Sequence, residues 1–248
     1  MKNALSVLGL SLVMFSGTIH GAGEQAGHGA HWGYSGDVGP DRWVKLKPEF
    51  SACAGKNQSP IDVSGLIEAQ LPPVKFDYKQ GGSEVVNNGH AIQVNYDAGS
   101  GIEVDGTRFD LKQFHFHSPS ENRINGKSFP LEAHLVHADK DGNLAVVSVM
   151  FDEGKENPAV GAAWGQMPKS AGGKNALPNK VAATGILPAD RDYYRYNGSL
   201  TTPPCSEGVR WIVMKKPLTV SKQQIELSLI HISEPTRRTP ISYAVFCL

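Results

Sequence analysis

Gln113–Glu121 reads QFHFHSPSE. Two histidines stand one residue apart, each preceded by a phenylalanine. Such alternation belongs to a β-strand, where residues i and i+2 point the same way. His115 and His117 therefore share one face, and Phe114 and Phe116 the other. Two imidazoles on one strand can bind one metal ion if a neighbouring strand brings a third ligand.

The segment LEAHLVHAD, beginning at Leu131, offers one. Glu132, His134 and Val136 share a face, and Leu131, Ala133, Leu135 and His137 share the other. Either His134 or His137 could complete the set. His134 is the better choice, because Glu132 on the same face can orient its ring, and metal-bound histidines nearly always give their second N–H to such a partner. Three neutral imidazoles without a thiolate suit zinc (Zn2+). The fourth position is then open to water, as in a catalytic site.

The surroundings read as consecutive strands from Glu84 to Phe151. VVNNGHAIQVNYD alternates and holds an Asn-Gly turn signal, and IEVDGTRFDLKQFHFH turns at Asp105-Gly106. LEAHLVHAD and LAVVSVMF are separated by a turn from Asp139 to Asn143. Asn157–Trp164 is expected to form a short helix. Ser221 and Gln224 make a capping-box pattern ahead of another. Gly21–Gly36, rich in Gly, Ala and His, is expected to be irregular. No repeat and no linker divide the 248 residues, which suit one mainly β domain with minor helices. Lys+Arg and Asp+Glu both number 24, so no basic stripe invites nucleic acid.

At the N-terminus Met1-Lys2-Asn3 precedes the apolar run ALSVLGLSLVMF and then small residues, the pattern of a secretory signal peptide over residues 1–22. The run is too short to span a bilayer, and no other run is long enough. Export places the mature chain in the periplasm or outside the cell, where disulfides persist. The three cysteines, Cys53, Cys205 and Cys247, leave one over.

From about His31 to Glu226 the chain resembles the α-class carbonic anhydrases of the bacterial exported type. The resemblance rests on HWGY, GKNQSPID, NNGHAIQV, QFHFHSPSE, EAHLVH and YNGSLTTPPCSEGVRWIV together. It implies a single domain, residues 23–226, around a large, mostly antiparallel central sheet. The implied reaction is the reversible hydration of carbon dioxide to bicarbonate and a proton by zinc-bound hydroxide. That zinc brings the pKa of bound water to near neutrality is a known property of this family, and the resemblance carries it over.

The same resemblance assigns roles. His115, His117 and His134 bind zinc; Gln113 orients His115 and Glu132 orients His134. Thr201 accepts a hydrogen bond from the nucleophile and donates its own to Glu121. Val136, Val146, Leu200, Val209 and Trp211 form an apolar wall for carbon dioxide, and Thr202 lines the product site. His90 carries protons out, suited by the usual histidine pKa. Tyr34, Asn88 and Gln93 order the connecting waters, although many relatives have asparagine where Gln93 stands. Cys53 and Cys205 form a disulfide that pins the Thr201 loop. A homodimer stays open.

The resemblance stops after Glu226. Leu227–Arg237 can be encoded by a transposase adapter used in sequencing libraries, and Ile241–Leu248 by the end of the matching flow-cell primer, with Arg238, Thr239 and Pro240 in the room of a sample index. Residues 227–248 are therefore expected to be a non-native tail. The domain is expected to be C-terminally incomplete, lacking its last strand and a backbone carbonyl that orients His117. Two alternatives stand beside an active enzyme: a non-catalytic binding module on the same scaffold, and an inactive truncated product of an otherwise active gene. A zinc esterase has less support, since no serine nucleophile or acyl pocket is evident.

Overall fold

The computed structural model describes residues 32–231 and the backbone of residues 241–247. The expected signal peptide lies outside the described residues.

The described residues open with 3-10 turns at Gly36–Val38 and Pro48–Ala54 flanking the short helix α1, Trp43–Leu46. Strands β1 (Asp62–Ala69), β2 (Lys75–Asp77), β3 (Gln80–Asn87), β4 (Ile92–Tyr96), β5 (Gly101–Val104), β6 (Thr107–His117) and β7 (Arg123–Ile124) follow. Then come β8 (Leu131–Ala138), β9 (Leu144–Glu153), α2 (Pro158–Trp164), β10 (Lys174–Ala182), β11 (Tyr193–Ser199), β12 (Glu207–Met214), β13 (Leu218–Val220), α3 (Lys222–His231) and β14 (Ile241–Cys247). They form one mostly antiparallel sheet in the order β10-β3-β4-β6-β8-β9-β12-β11-β14-β1-β7.

Local chemistry explains several boundaries. Asp105 and Gly106 take φ of 50° and 76°, the two positive values that a tight hairpin turn between β5 and β6 requires. Asn157 caps α2 by accepting from the backbone N–H groups of Ala159 and Val160. At α3 the Gln224 N–H donates to Ser221 Oγ, while Gln224 Oε1 accepts from the Ser221 N–H, which is a capping box.

The sheet separates two chemistries. Phe114 and Phe116 point into the larger core with Leu131, Ala133, Leu135, Val147, Val149 and Phe151. A bulge between Leu111 and Gln113 shifts the phase of β6 by one, so Phe109 and Leu111 reach the same core. The opposite face of the central strands carries the histidines. Beside them lies a smaller core that includes Val146, Met150, Val209, Trp211 and Val213.

At the C-terminal end, β14 pairs in parallel with β1 and antiparallel with β11. Ladder bonds join backbone groups, and ISYAVFC is rich in β-branched and aromatic residues, so this segment meets the demand of an open sheet edge whatever its origin. Deleting residues 241–248 should unpair the edges of β11 and β1. The expected loss is a few kcal/mol, about 1 for each ladder bond removed, together with aggregation. Chemical denaturation and light scattering would measure both.

Candidate metal centre and active-site cavity

β6 and β8 run antiparallel with His115 directly opposite His134, and His117 opposite Glu132. This register brings three imidazoles to one point. One ring nitrogen from each lies within 4.8 Å of the other two. The centroids of His117 and His134 are 4.5 Å apart, and those of His115 and His117 4.9 Å.

The remaining nitrogens are tied back. His115 Nδ1 lies 2.9 Å from Gln113 Oε1, and His134 Nε2 lies 2.8 Å from Glu132 Oε1. His115 therefore turns Nε2 inward, whereas His134 turns Nδ1 inward. Burial, with His117 and His134 beside it, holds the His115 pKa well below the usual histidine range, so its lone pair is free for a cation. His137 belongs elsewhere. It is fully buried on the other face, where Nε2 meets the Tyr78 hydroxyl at 2.8 Å and Nδ1 the Ala145 carbonyl at 3.2 Å. Burial pushes its pKa down to about 3, and it remains a neutral core residue.

Glu132 has no solvent exposure. Burial alone would raise its pKa. The facing His134 and hydrogen bonds from His134, Asn122 and Ser148 outweigh that and bring it to about 2. Asn122 contributes both its backbone N–H (2.9 Å) and Nδ2 (2.8 Å), and Ser148 Oγ donates at 2.6 Å. Glu121 is also buried, its Oε2 3.4 Å from His117 Nε2 and 3.8 Å from His134 Nδ1.

The three rings form the floor of a cavity of about 210 Å³. Its lining includes the apolar Val136, Val146, Leu200 and Trp211, the polar Tyr34, Asn88, His90, Gln93 and Gln113, and the two threonines Thr201 and Thr202. The sequence profile of the eukaryotic-type carbonic anhydrases matches residues 38–238.

The chain belongs to the α-carbonic anhydrase family.

A carbonic anhydrase of Pectobacterium carotovorum is 45% identical over 226 residues, 91% of this chain and 90% of that one. A hyperthermostable carbonic anhydrase from an active hydrothermal vent chimney superposes with a TM-score of 0.84 at 51% identity, covering 88% of this chain and 100% of that one. The α-carbonic anhydrase of Thermovibrio ammonificans, solved with the inhibitor sulfanilamide, gives 0.84 at 48% identity, over 88% and 99% of the two chains.

Within this carbonic anhydrase, Val209 is the expected wall residue that does not line the cavity; it packs behind Val146 and Trp211. Two cavity residues were not singled out in the sequence, although they lie in the quoted HWGY and NNGHAIQV stretches. Trp32 stacks on His90 with centroids 3.8 Å apart and planes 10° from parallel, and Ala91 sits beside it. The predicted Cys53–Cys205 disulfide is present, across 152 residues.

The Thr201 loop has further anchors that the sequence did not disclose. Ser59 and Ser199 bond reciprocally, each hydroxyl accepting the other's backbone N–H at 3.1 and 2.9 Å. Trp211 Nε1 donates to the Ser199 carbonyl. Glu207 Oε1 accepts from the Asn57 N–H and from Gln58 Nε2, which also reaches the Cys205 carbonyl. Gly198 is required here, because a Cβ would collide with Ser59 Oγ and the Tyr196 ring. These contacts join distant segments, so only residue types, not partners, were visible in the chain.

Glu132→Gln keeps the shape of the side chain but loses the charge facing His134. Metal affinity should weaken by about 10–100-fold. Competition with a chromogenic chelator would measure the change.

Proposed function

We propose that this enzyme catalyses the reversible hydration of carbon dioxide to bicarbonate and a proton, with zinc held by His115, His117 and His134. The observation that carries this reading is the convergence of three imidazole nitrogens in a cavity lined by both apolar and polar side chains. The donor set fits the ion: three nitrogens, no thiolate, and fixed ring orientations for His115 and His134. Bound zinc supplies a Lewis acid that makes water nucleophilic at neutral pH.

The protein does the rest by position. Val136, Val146, Leu200 and Trp211 give a small nonpolar substrate an apolar resting place beside the rings. Thr201, only 7% exposed, lines the cavity; in the role the family resemblance gives it, its hydroxyl would donate to the Glu121 carboxylate and keep a lone pair for the reacting water. That fixes the direction of attack. Thr202, also in the cavity lining, would hold the charged product before it leaves for solvent. His90 takes the released proton by way of waters ordered by Tyr34, Asn88 and Gln93, and its stack on Trp32 holds the ring in the cavity lining.

Export fits this reading. The Cys53–Cys205 bridge persists only in an oxidising compartment, and residues 1–22 have the pattern of a signal peptide. We assign the mature chain to the periplasm or the exterior. The adapter-like composition of residues 227–248 supports a non-native tail, which resequencing the gene without those adapters would decide.

Stopped-flow hydration of carbon dioxide by the purified chain should be abolished by dipicolinate and restored by added Zn2+. Activity that survived complete zinc removal would refute the assignment. His90→Ala should lower kcat roughly tenfold or more at low buffer, part of the 10²–10⁴-fold that positioned proton transfer contributes, and imidazole should restore it. A loss that imidazole leaves unchanged would remove His90 from this role.

A further inference from the structure

A row of amides crosses the polar face of the sheet, from the loop carrying His90 to the outer strands. Its hydrogen bonds all point one way. Asn88 Nδ2 faces Gln93 Oε1 at 3.5 Å, Gln93 Nε2 donates to Asn95 Oδ1 at 2.7 Å, and Asn95 Nδ2 donates to Glu84 Oε1 at 2.7 Å. The register places the row. Gln93 sits beside His115, Asn95 beside Gln113 on one side and Glu84 on the other.

An amide can be turned end for end at little cost in shape, so a row of amides has two polarities. Here both ends are fixed. At the inner end, Asn88 Oδ1 accepts from the backbone N–H groups of His90 (2.9 Å) and Ala91 (2.7 Å), which leaves only its NH2 for Gln93. At the outer end stands a carboxylate, which can only accept. Lys174 Nζ, 3.9 Å from Glu84 Oε1, adds a favourable charge. With Glu84 in place, Asn95 must present its NH2 outward and its oxygen inward. Gln93 must then present its NH2 to Asn95 and its oxygen to Asn88 and the cavity.

We propose that Glu84, which does not line the cavity, is a positioning residue for proton release. It sets the polarity of the Asn95–Gln93 row so that Gln93 offers an acceptor beside His115 and the His90 loop. If the row were reversed, Gln93 would turn an NH2 toward the Asn88 NH2, two donors would face each other, and the water path would lose an acceptor. This rests on the proton path proposed above. Glu84 touches neither substrate nor metal ligand, so the hydration step itself does not depend on it.

The test uses Glu84→Gln, isosteric but able to present either end, and Glu84→Lys, which can only donate. In low buffer, kcat should fall at least about threefold for Glu84→Gln and further for Glu84→Lys, a part of the 10²–10⁴ that positioned proton transfer contributes. The ratio kcat/KM, set by hydration, should stay at the wild-type value, and imidazole should restore kcat. NOEs from the Gln93 side-chain NH2 should move from Asn95 toward Asn88 in Glu84→Lys. Unchanged kcat in both variants would overturn the proposal. So would a matched fall in kcat and kcat/KM, which marks general damage, or a Gln93 amide that keeps its orientation in Glu84→Lys. His90→Ala separates the two readings: if imidazole fails to rescue it yet rescues Glu84→Gln, the row still governs proton release and a group other than His90 carries the proton.

Discussion

The Glu132 carboxylate is the point on which the rest depends. A buried carboxylate is costly unless hydrogen bonds satisfy it. Glu132 receives four, from the Asn122 backbone, the Asn122 amide, Ser148 and His134. The donors come from three places in the fold, so the carboxylate is satisfied only when β8, β9 and the segment after β6 have docked. Asn122 then passes the constraint on. Its Oδ1 accepts from Tyr196 Oη and from the Ile61 N–H, and Tyr196 Oη lies 3.3 Å from Ser59 Oγ. Ser59 bonds Ser199, two residues before Thr201. The ring of His134 and the loop of Thr201 thus belong to one polar network, which is useful only when complete.

That network lies on the side of the sheet where polarity can be tolerated, because the other side supplies the bulk of the apolar burial. Phe114 and Phe116 are wholly buried beneath the two histidines that alternate with them. A strand with one purpose per face needs no compromise at any residue. The cost appears at Leu111–Gln113, where a bulge reconciles two stretches of opposite phase.

The central part of this design was legible because it is local. The alternation in QFHFH and the shared face of Glu132 and His134 follow from the period of a strand, and Asp105-Gly106, Asn157 and the Ser221/Gln224 pair act within a few residues. What stayed hidden is nonlocal or weakly patterned. β10, Lys174–Ala182, is mostly exposed and contains a proline, so it carries no alternation that announces a strand. The parallel pairing of β9 with β12 joins segments some 65 residues apart, Ala145 with Arg210 for example, and nothing in either names its partner. The bulge in β6 does leave a trace. The apolar positions run 109, 111, then 114, 116, and the skipped beat is the inserted residue.

The place of β14 has a consequence for how the molecule is made. The early strand β1 reaches the main sheet through the late strand β14, which lies between it and β11. During synthesis the first strand leaves the ribosome some 180 residues ahead of the one that must flank it, and Asp62 waits for Ile241. The sheet can be completed along that edge only once β14 has been released, when it slides into a slot whose two walls already exist.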